Sequence, residues 1–362
     1  MPPENVQEEA PNVVDLVIDV IPSCVPEEPS LADPTPLPRE SLVAFKFGGT
    51  SLLGAQRLLH AAGLVRSAAQ RMQVVVVVSA MKGVTDRLLS LAQSIASRRP
   101  QRARDEARSI LRQHLDVLSD LSLDAAEHHR VSYDLNSLGR DLLHEVSPQE
   151  PSSSVVTAAE LIDRLASFGE RFSARLFAAA LERSGIAAVP VSSSEFVLTC
   201  DTFGEAVPHL ERTRRRGREL LLPLLEDGIV PVVTGFIGAT PDGRITTLGR
   251  NSSDFSGAIV AHAVDADELV IWTDVDGIYT SNPHESSEAK LLHDLSYDDA
   301  HALASSGAKV VHPQVLPLAA ETEMTVWVRN TFKPQARGTR IGPAPAPVGA
   351  QQCCGPATKE SA

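Results

Sequence analysis

Four short strings in this sequence gather residue types suited to phosphate and carboxylate chemistry. The first, Lys46-Phe47-Gly48-Gly49-Thr50-Ser51, follows an apolar run and precedes a helical pattern. Glycines there let backbone N–H groups approach an anion, a helix N-terminus favours negative charge, and Lys46 adds a point charge. A plain tight turn has the same wording, and the string is no Walker loop, because G-x-x-x-x-G-K-[ST] occurs nowhere in the chain. The second string is Leu248-Gly249-Arg250-Asn251-Ser252-Ser253-Asp254. The planar fork of Arg250 matches a carboxylate, with Ser252 and Ser253 at the same helix mouth. Ser253 or Asp254 would equally serve as a helix cap. The third, residues 271–279, offers Thr273, Asp274 and Tyr279 to a nucleotide; its Asp-x-Asp-Gly wording lacks the remaining ligands of a calcium loop. The fourth, residues 307–313, contributes Lys309, to a ligand or to a helix C-terminus. Two lysines, glycine loops, an arginine and acids describe phosphoryl transfer from a nucleotide to a carboxylate.

Such strings need strands that end where they begin. Residues 42–47 and 74–78 read as buried strands, and Leu58, Leu59, Ala62 and Val65 recur between them at helical spacing, which makes a β-α-β unit. Helices are expected at 87–97, 106–121 and 133–145, then a break at 147–154, then one or two helices over 157–182 around Gly169. A strand at 187–191, a helix near 206–226 and a strand at 229–234 follow. The Pro-Asp-Gly turn within 239–244 predicts a hairpin joining 236–237 to 245–248. Helix 253–264, strand 268–272, helices 297–305 and 313–320 and strand 325–329 complete the reading. Interleaved strands and helices imply an α/β sandwich around a mainly parallel sheet, with ligands at the strands' carboxyl ends.

Composition narrows the class. The chain has 362 residues with 33 Lys+Arg against 46 Asp+Glu, a formal charge of −13, which disfavours a nucleic-acid partner. No apolar run approaches the roughly 20 residues that cross a bilayer, so no membrane partner is expected. Residues 1–40 hold nine prolines, nine acids and one base, so the acidity is mainly theirs. Such composition predicts a disordered tail. Within it the apolar stretch 13–21 is either a spacer or a strand for a partner's sheet edge. Residues 342–362 read as a second loose tail, leaving a folded body at 41–341. Acids without a base in the first ten residues make the cytosol the expected address. Cys24, Cys200, Cys353 and Cys354 have neither disulfide nor zinc spacing and read as free thiols. The run 212–218, with five arginines, is an interaction patch or a solvated helix face, and the histidines match no metal spacing, which assigns them to the surface or to satisfied interior sites.

Seven strings in register carry a resemblance: KFGGTS at 46–51, VVSAMKGVT at 77–85, FGE at 168–170, TGFIG at 234–238, TTLGRNSSD at 246–254, WTDVDGIYTSNP at 272–283 and GAKVVHP at 307–313. In order and wording they resemble the aspartate kinases of the amino acid kinase family, over about residues 42–341. The resemblance implies that family's three-layer α/β/α sandwich, with an aspartate-binding lobe at about 41–228 and an ATP-binding lobe at about 229–341. It also implies a reaction, ATP with L-aspartate giving 4-phospho-L-aspartate, the first step of the route to lysine, threonine and methionine or of a dedicated branch. By similarity Lys46 stabilises the transferring phosphoryl group, Gly48 and Gly49 line the phosphates, and Ser79 and Thr85 belong to the rim. Glu170, Arg250 and Ser253 would hold aspartate; Thr273, Asp274, Tyr279 and Lys309 would contact ATP; Asp254 would organise the centre through Lys46. Mg²⁺ would travel with ATP, held by phosphates and water rather than by a protein cage. The attacking carboxylate is ionised at neutral pH, so alignment and charge stabilisation suffice and no general base is required.

The sequence departs from the family pattern at three places. Asn251-Ser252 stands where many relatives have glycine, and Ser252 adds a side chain where the loop is expected to need positive φ. Asn282-Pro283-His284 replaces an Asp-Pro-Arg. Nothing after Ile341 is long enough for the ACT domains that bind feedback amino acids in relatives, so inhibition of that kind is not expected, and a homodimer, a partner of the acidic tail and a separate regulatory subunit stay open. Two rival readings stand beside the aspartate kinase: a kinase of this fold acting on another carboxylate, and a non-catalytic ligand-sensing or scaffolding subunit.

Overall fold

The computed structural model describes residues 41–147, 156–281, 286, 288–305 and 311–343. The acidic tail 1–40, all but the first residue of the break expected at 147–154, Asn282-Pro283-His284, Lys309 and residues 344–362 lie outside the described residues. In chain order the elements are β1 (Leu42–Phe47), α1 (Ala55–Ala69), β2 (Gln73–Val78), α2 (Val84–Ala96), α3 (Pro100–Asp120), α4 (Ala125–Glu145), α5 (Ala158–Ala166) and α6 (Phe168–Arg183). Then come β3 (Ala188–Val191), α7 (Leu210–Glu226), β4 (Val230–Thr234), β5 (Ile237–Ala239), β6 (Ile245–Thr247), α8 (Ser253–Ala263) and β7 (Glu268–Thr273). The last are β8 (Ile278–Tyr279), β9 (Leu291–Leu292), β10 (Asp294–Ser296), α9 (Tyr297–Ser305), α10 (Val315–Glu321), β11 (Thr325–Asn330) and β12 (Thr339–Gly342).

Eight strands form one sheet in the order β10-β12-β11-β7-β1-β2-β4-β3, and every pairing is parallel except β11 with β12. Strand β1 lies inside, buried along its whole length, as expected for a strand covered on both faces. Its side chains alternate between two cores. Val43, Phe45 and Phe47 join the core made with α1, α3, α4 and α6, whereas Leu42 and Ala44 join the core made with α7, α8 and α10. Helices on both faces complete a three-layer α/β/α sandwich. The same alternation puts Lys46 on the α8 face, where a methyl group at Gly257 would stand 3.2 Å from the Lys46 Cβ.

Several boundaries differ from the sequence reading. The helix pair over 157–182 divides at Ser167 instead of Gly169, which packs against loop 79–83: a Cβ there would come within 2.6 Å of Ala80 Cβ. Small strands β8, β9, β10 and β12 escape sequence patterning because each has only two to four residues. The hairpin β5–β6 pairs Ile237 with Thr247 and Ala239 with Ile245, around the expected Pro-Asp-Gly turn. Arg214 and Arg218 of the arginine run reach Asp265 at the end of α8, so the run is partly a helix-to-loop clasp as well as a solvated face. Among the described residues no helix is long and apolar enough to cross a membrane.

His114 corrects the expectation that interior histidines are satisfied. It is fully buried on α3, stacks on Phe172 at 4.6 Å, and engages the Ile110 carbonyl through Nδ1, while Nε2 has no partner. Burial, reinforced by the charge of Arg87, lowers its pKa from 6.5 to about 4. The unfolded chain therefore takes up this proton first as pH falls, and stability declines between those two values. At the limit the loss is roughly 3 kcal/mol. Chemical denaturation of His114→Leu against pH is expected to show a shallower decline below about pH 6.5 than the parent; parallel declines would exclude His114 as the cause.

Candidate active site

The carboxyl ends of the parallel strands β1, β2, β4 and β7 bring residues 46–51, 77–85, 234–238 and 272–281 to one side of the sheet. Lys46 Nζ meets Asp254 Oδ1 at 2.5 Å, joining the end of β1 to the first turn of α8 across 208 residues of chain. Lys46 is only 6% exposed, so its charge is held where a partner is required. Beyond it the chain turns into a short 3₁₀ helix, Gly49–Leu52. Gly48 donates its N–H to the Trp272 carbonyl at 3.1 Å and Ser51 donates its own to the Gly48 carbonyl at 2.9 Å, so the amides of the turn available to an anion are those of Gly49 and Thr50. Gly49 lies against the loop after β2: a Cβ there would stand 2.5 Å from the Ala80 carbonyl oxygen, and its own carbonyl accepts from Lys82 N–H at 3.1 Å. Only glycine permits that approach.

Loop 79–83 carries the half-buried Ser79 and leads into α2, where Thr85 sits half-buried in the first turn. Its Ala80 N–H donates to Glu170 Oε1 at 3.0 Å. Glu170 is 3% exposed in the first turn of α6, and its Oε2 has no partner. Burial raises its pKa from 4.5 to about 8, against the pull of the Ala80 N–H and the nearby Lys46 charge. A buried, neutral carboxyl with one free oxygen is suited to an ammonium group, which would restore its charge.

The 248–254 loop is shaped differently from the sequence expectation. Ser252 has φ −77° and needs no special freedom, and Asn251, with Gly249 before it, takes the positive φ instead. Asparagine tolerates that region better than most side chains. Ser252 is fully buried with an unpartnered hydroxyl, and Ser253 and Asp254 open α8 half-buried. Arg250 does not converge on Lys46 and Asp254: its side chain is 76% exposed and meets the exposed Asp86 at 3.1 Å. Such a pair at the surface is weak and easily exchanged for a ligand.

At the end of β7, Thr273 is half-buried and Asp274 exposed, 3.4 Å from the Thr273 hydroxyl, and Tyr279 lies half-buried in β8. Residues not singled out in the sequence shape this loop. Asp276 accepts from Asn330 Nδ2 at 2.5 Å and Lys333 Nζ at 2.9 Å, which hold its carboxyl below the usual range. Asp163, buried in α5, accepts from Gly204 N–H, Thr247 N–H and the Thr247 hydroxyl, tying α5 to β6. His312 stacks on Phe255 of α8, where burial lowers its pKa and the Asp254 charge opposes that. No spacing rule connects these partners, because each pair spans different elements. The fit to a nucleotide rests on the glycine approach at Gly49, the amides beside it and Lys46.

The family model of the amino acid kinase family matches residues 41–330. The chain is 33% identical over 300 residues to lysine-sensitive aspartokinase 3 of Escherichia coli (strain K12), covering 83% of this chain and 64% of that protein. It is 33% identical over 305 residues to the chloroplastic aspartokinase 1 of Arabidopsis thaliana, covering 82% and 51%. Among solved structures, E. coli aspartokinase III in complex with aspartate and ADP (R-state) superposes with a TM-score of 0.71 at 31% identity, over 85% of this chain and 66% of that one. The chain thus spans about half to two thirds of the length of these relatives. It belongs to the amino acid kinase family.

Glu170 gives a test that needs no substrate. Its pKa is raised on folding, so its favourable contribution is complete below pH 4.5 and is lost as pH rises through about 8. Glu170→Gln, uncharged and isosteric, is expected to be more stable than the parent above neutral pH, by about 1–4 kcal/mol, and to converge with it in acid. A stability difference independent of pH would remove the neutral-carboxyl assignment.

Proposed function

We propose that this member of the amino acid kinase family transfers the γ-phosphoryl group of ATP to the side-chain carboxylate of L-aspartate, giving 4-phospho-L-aspartate. The observation that carries the reading is the convergence of the Lys46–Asp254 pair with the buried, half-partnered Glu170 beside a glycine turn. Lys46 would neutralise the charge that develops on the transferring group, with Asp254 fixing its ammonium. Glu170 would hold the amino group of aspartate; Arg250, released from Asp86, would take a carboxylate, with Ser253, Ser79 and Thr85 completing the rim. Gly48, Gly49, Thr273, Asp274 and Tyr279 would line the nucleotide, Lys309 is assigned to it by resemblance, and Mg²⁺ neutralises phosphate charge when bound with it. Residues 41–228 would then serve the acceptor mainly and 229–341 the nucleotide. The acceptor carboxylate needs no deprotonation at neutral pH, so a base is not part of the scheme.

Hydroxylamine trapping of the acyl phosphate is expected to give hydroxamate with aspartate but not with glutamate or homoserine, and Lys46→Ala is expected to lower kcat by at least about 100-fold. Equal turnover with another carboxylate would move the assignment to that acceptor, and folded protein inactive with all of them would favour a ligand-sensing role. The ionised form of Glu170 is the one that pairs with an ammonium, whereas the free site is protonated below about 8. Affinity for aspartate is therefore expected to rise by up to about tenfold per pH unit towards pH 8, with one proton released on binding near neutral pH. Calorimetry in buffers of different ionisation enthalpy reads this directly; binding without proton release would separate Glu170 from the ammonium.

A further inference from the structure

At the carboxyl ends of β3 and β4, between α6 and the β5–β6 hairpin, lies a cavity of about 400 Å³ lined by Arg171, Arg175, Ser192, Ser194, Thr234 and the single acid Glu195 among others. A smaller one of about 280 Å³ adjoins it and shares Arg171. Neither is lined by Lys46, Glu170 or Asp254. Arg171 and Arg175 stand one turn apart on the same face of α6. Arg171 lies 4.6 Å over the Phe168 ring, and Arg175 donates to the Arg171 carbonyl at 3.0 Å. Neither has a carboxylate at ion-pair distance among the described residues. The acids that face them from α4 and the β3–α7 connection act only at longer range: Asp141 and Glu145 on Arg171, Asp134, Asp141 and Glu195 on Arg175. Two of these are engaged elsewhere, Glu145 by Arg164 and Glu195 by the Ser192 N–H.

Two half-buried guanidinium groups facing a cavity without a paired carboxylate are costly unless something supplies the counter-charge. Burial lowers both below the ordinary arginine value, and the Arg175 charge lowers Arg171 further. Arginine resists deprotonation, so the means of relief is an anion that fits its planar fork. The hydroxyls of Ser192 and Ser194 bond each other at 2.7 Å and keep one O–H to donate. We propose that this cavity is a second ligand site, taking the oxyanion of a small molecule, a carboxylate or a phosphate group, on the forks of Arg171 and Arg175 with the Ser192–Ser194 hydroxyl pair. The site stands apart from the Lys46 turn, and its existence does not depend on which reaction the chain performs.

The test is calorimetric titration of the full chain with inorganic phosphate and, separately, with malonate, for the parent and for Lys46→Ala, Arg175→Gln and Arg175→Lys. Saturable binding of either probe is expected, retained in Lys46→Ala and weakened at least about tenfold in Arg175→Gln, with Arg175→Lys weaker than the parent because a lysine keeps the charge and lacks the fork. A preference for phosphate over malonate, or the reverse, assigns the oxyanion. Circular dichroism melting in anion-free buffer establishes that each variant is folded, and Arg175→Lys decides the matter if Arg175→Gln is not. Absence of saturable binding by both probes, binding equal to the parent in the arginine variants, or binding lost in Lys46→Ala alone would overturn the proposal.

Discussion

The contact between Lys46 and Asp254 orders the rest of this structure. A lysine at the carboxyl end of an interior strand loses its hydration on every side, and that loss is tolerable only with a charged partner at close range. Alternation along β1 turns Lys46 toward α8, Gly257 lets the helix come near enough, and Asp254 in the first turn of that helix meets it. From this point the remaining constraints follow outward. The glycine turn after β1 must pass under Ala80, loop 79–83 must receive Gly49 on one side and Gly169 on the other, and the first turn of α6 is thereby set against Ala80 N–H.

Three acids, two buried and one half-buried, show how environment separates roles. Asp163 has three donors and connects α5 to β6; burial raises its pKa despite them. Asp254 is held by Lys46. Glu170 has one backbone donor and a free oxygen, so burial dominates and the carboxyl stays neutral near physiological pH. A satisfied acid ties elements together, while an under-satisfied one is receptive to a cationic group. The arginines of α6 present the opposite sign of the same condition, charge facing a cavity with no carboxylate at ion-pair distance among the described residues. Receptive groups of both signs thus lie on the first two turns of one helix, at successive residues 170 and 171.

The sequence made the scaffold and most of the candidate site legible. The runs 42–47 and 74–78 read as buried strands because only a covered parallel sheet accommodates such apolar stretches, and the turn residues of 239–244 specified a hairpin. The strings at strand ends singled out Lys46, Asp254 and Thr273 by residue type and position, whereas Glu170, in the first turn of a helix, came only from the resemblance. Partners more than about a turn away were not legible from residue spacing, and only the resemblance linked Asp254 to Lys46. Nothing local links Lys46 to Asp254, Asp163 to Thr247, or Asp276 to Lys333, because pairing between elements depends on sheet order and helix approach. The loop at 249–252 was misread for a related reason: the need for positive φ was assigned to Ser252, yet the hydrogen bonds that start α8 put it at Asn251.

By itself, then, the sequence determined which residue types stand at the ends of which strands, since periodicity and turn chemistry act over a few residues. Tertiary structure alone decided which of those groups meet and in what state: Lys46 with Asp254, Glu170 neutral with one oxygen free, Arg250 turned out to Asp86, and two arginines facing a cavity. The physical reason is that desolvation and charge pairing depend on everything packed around a group, much of it remote in the chain.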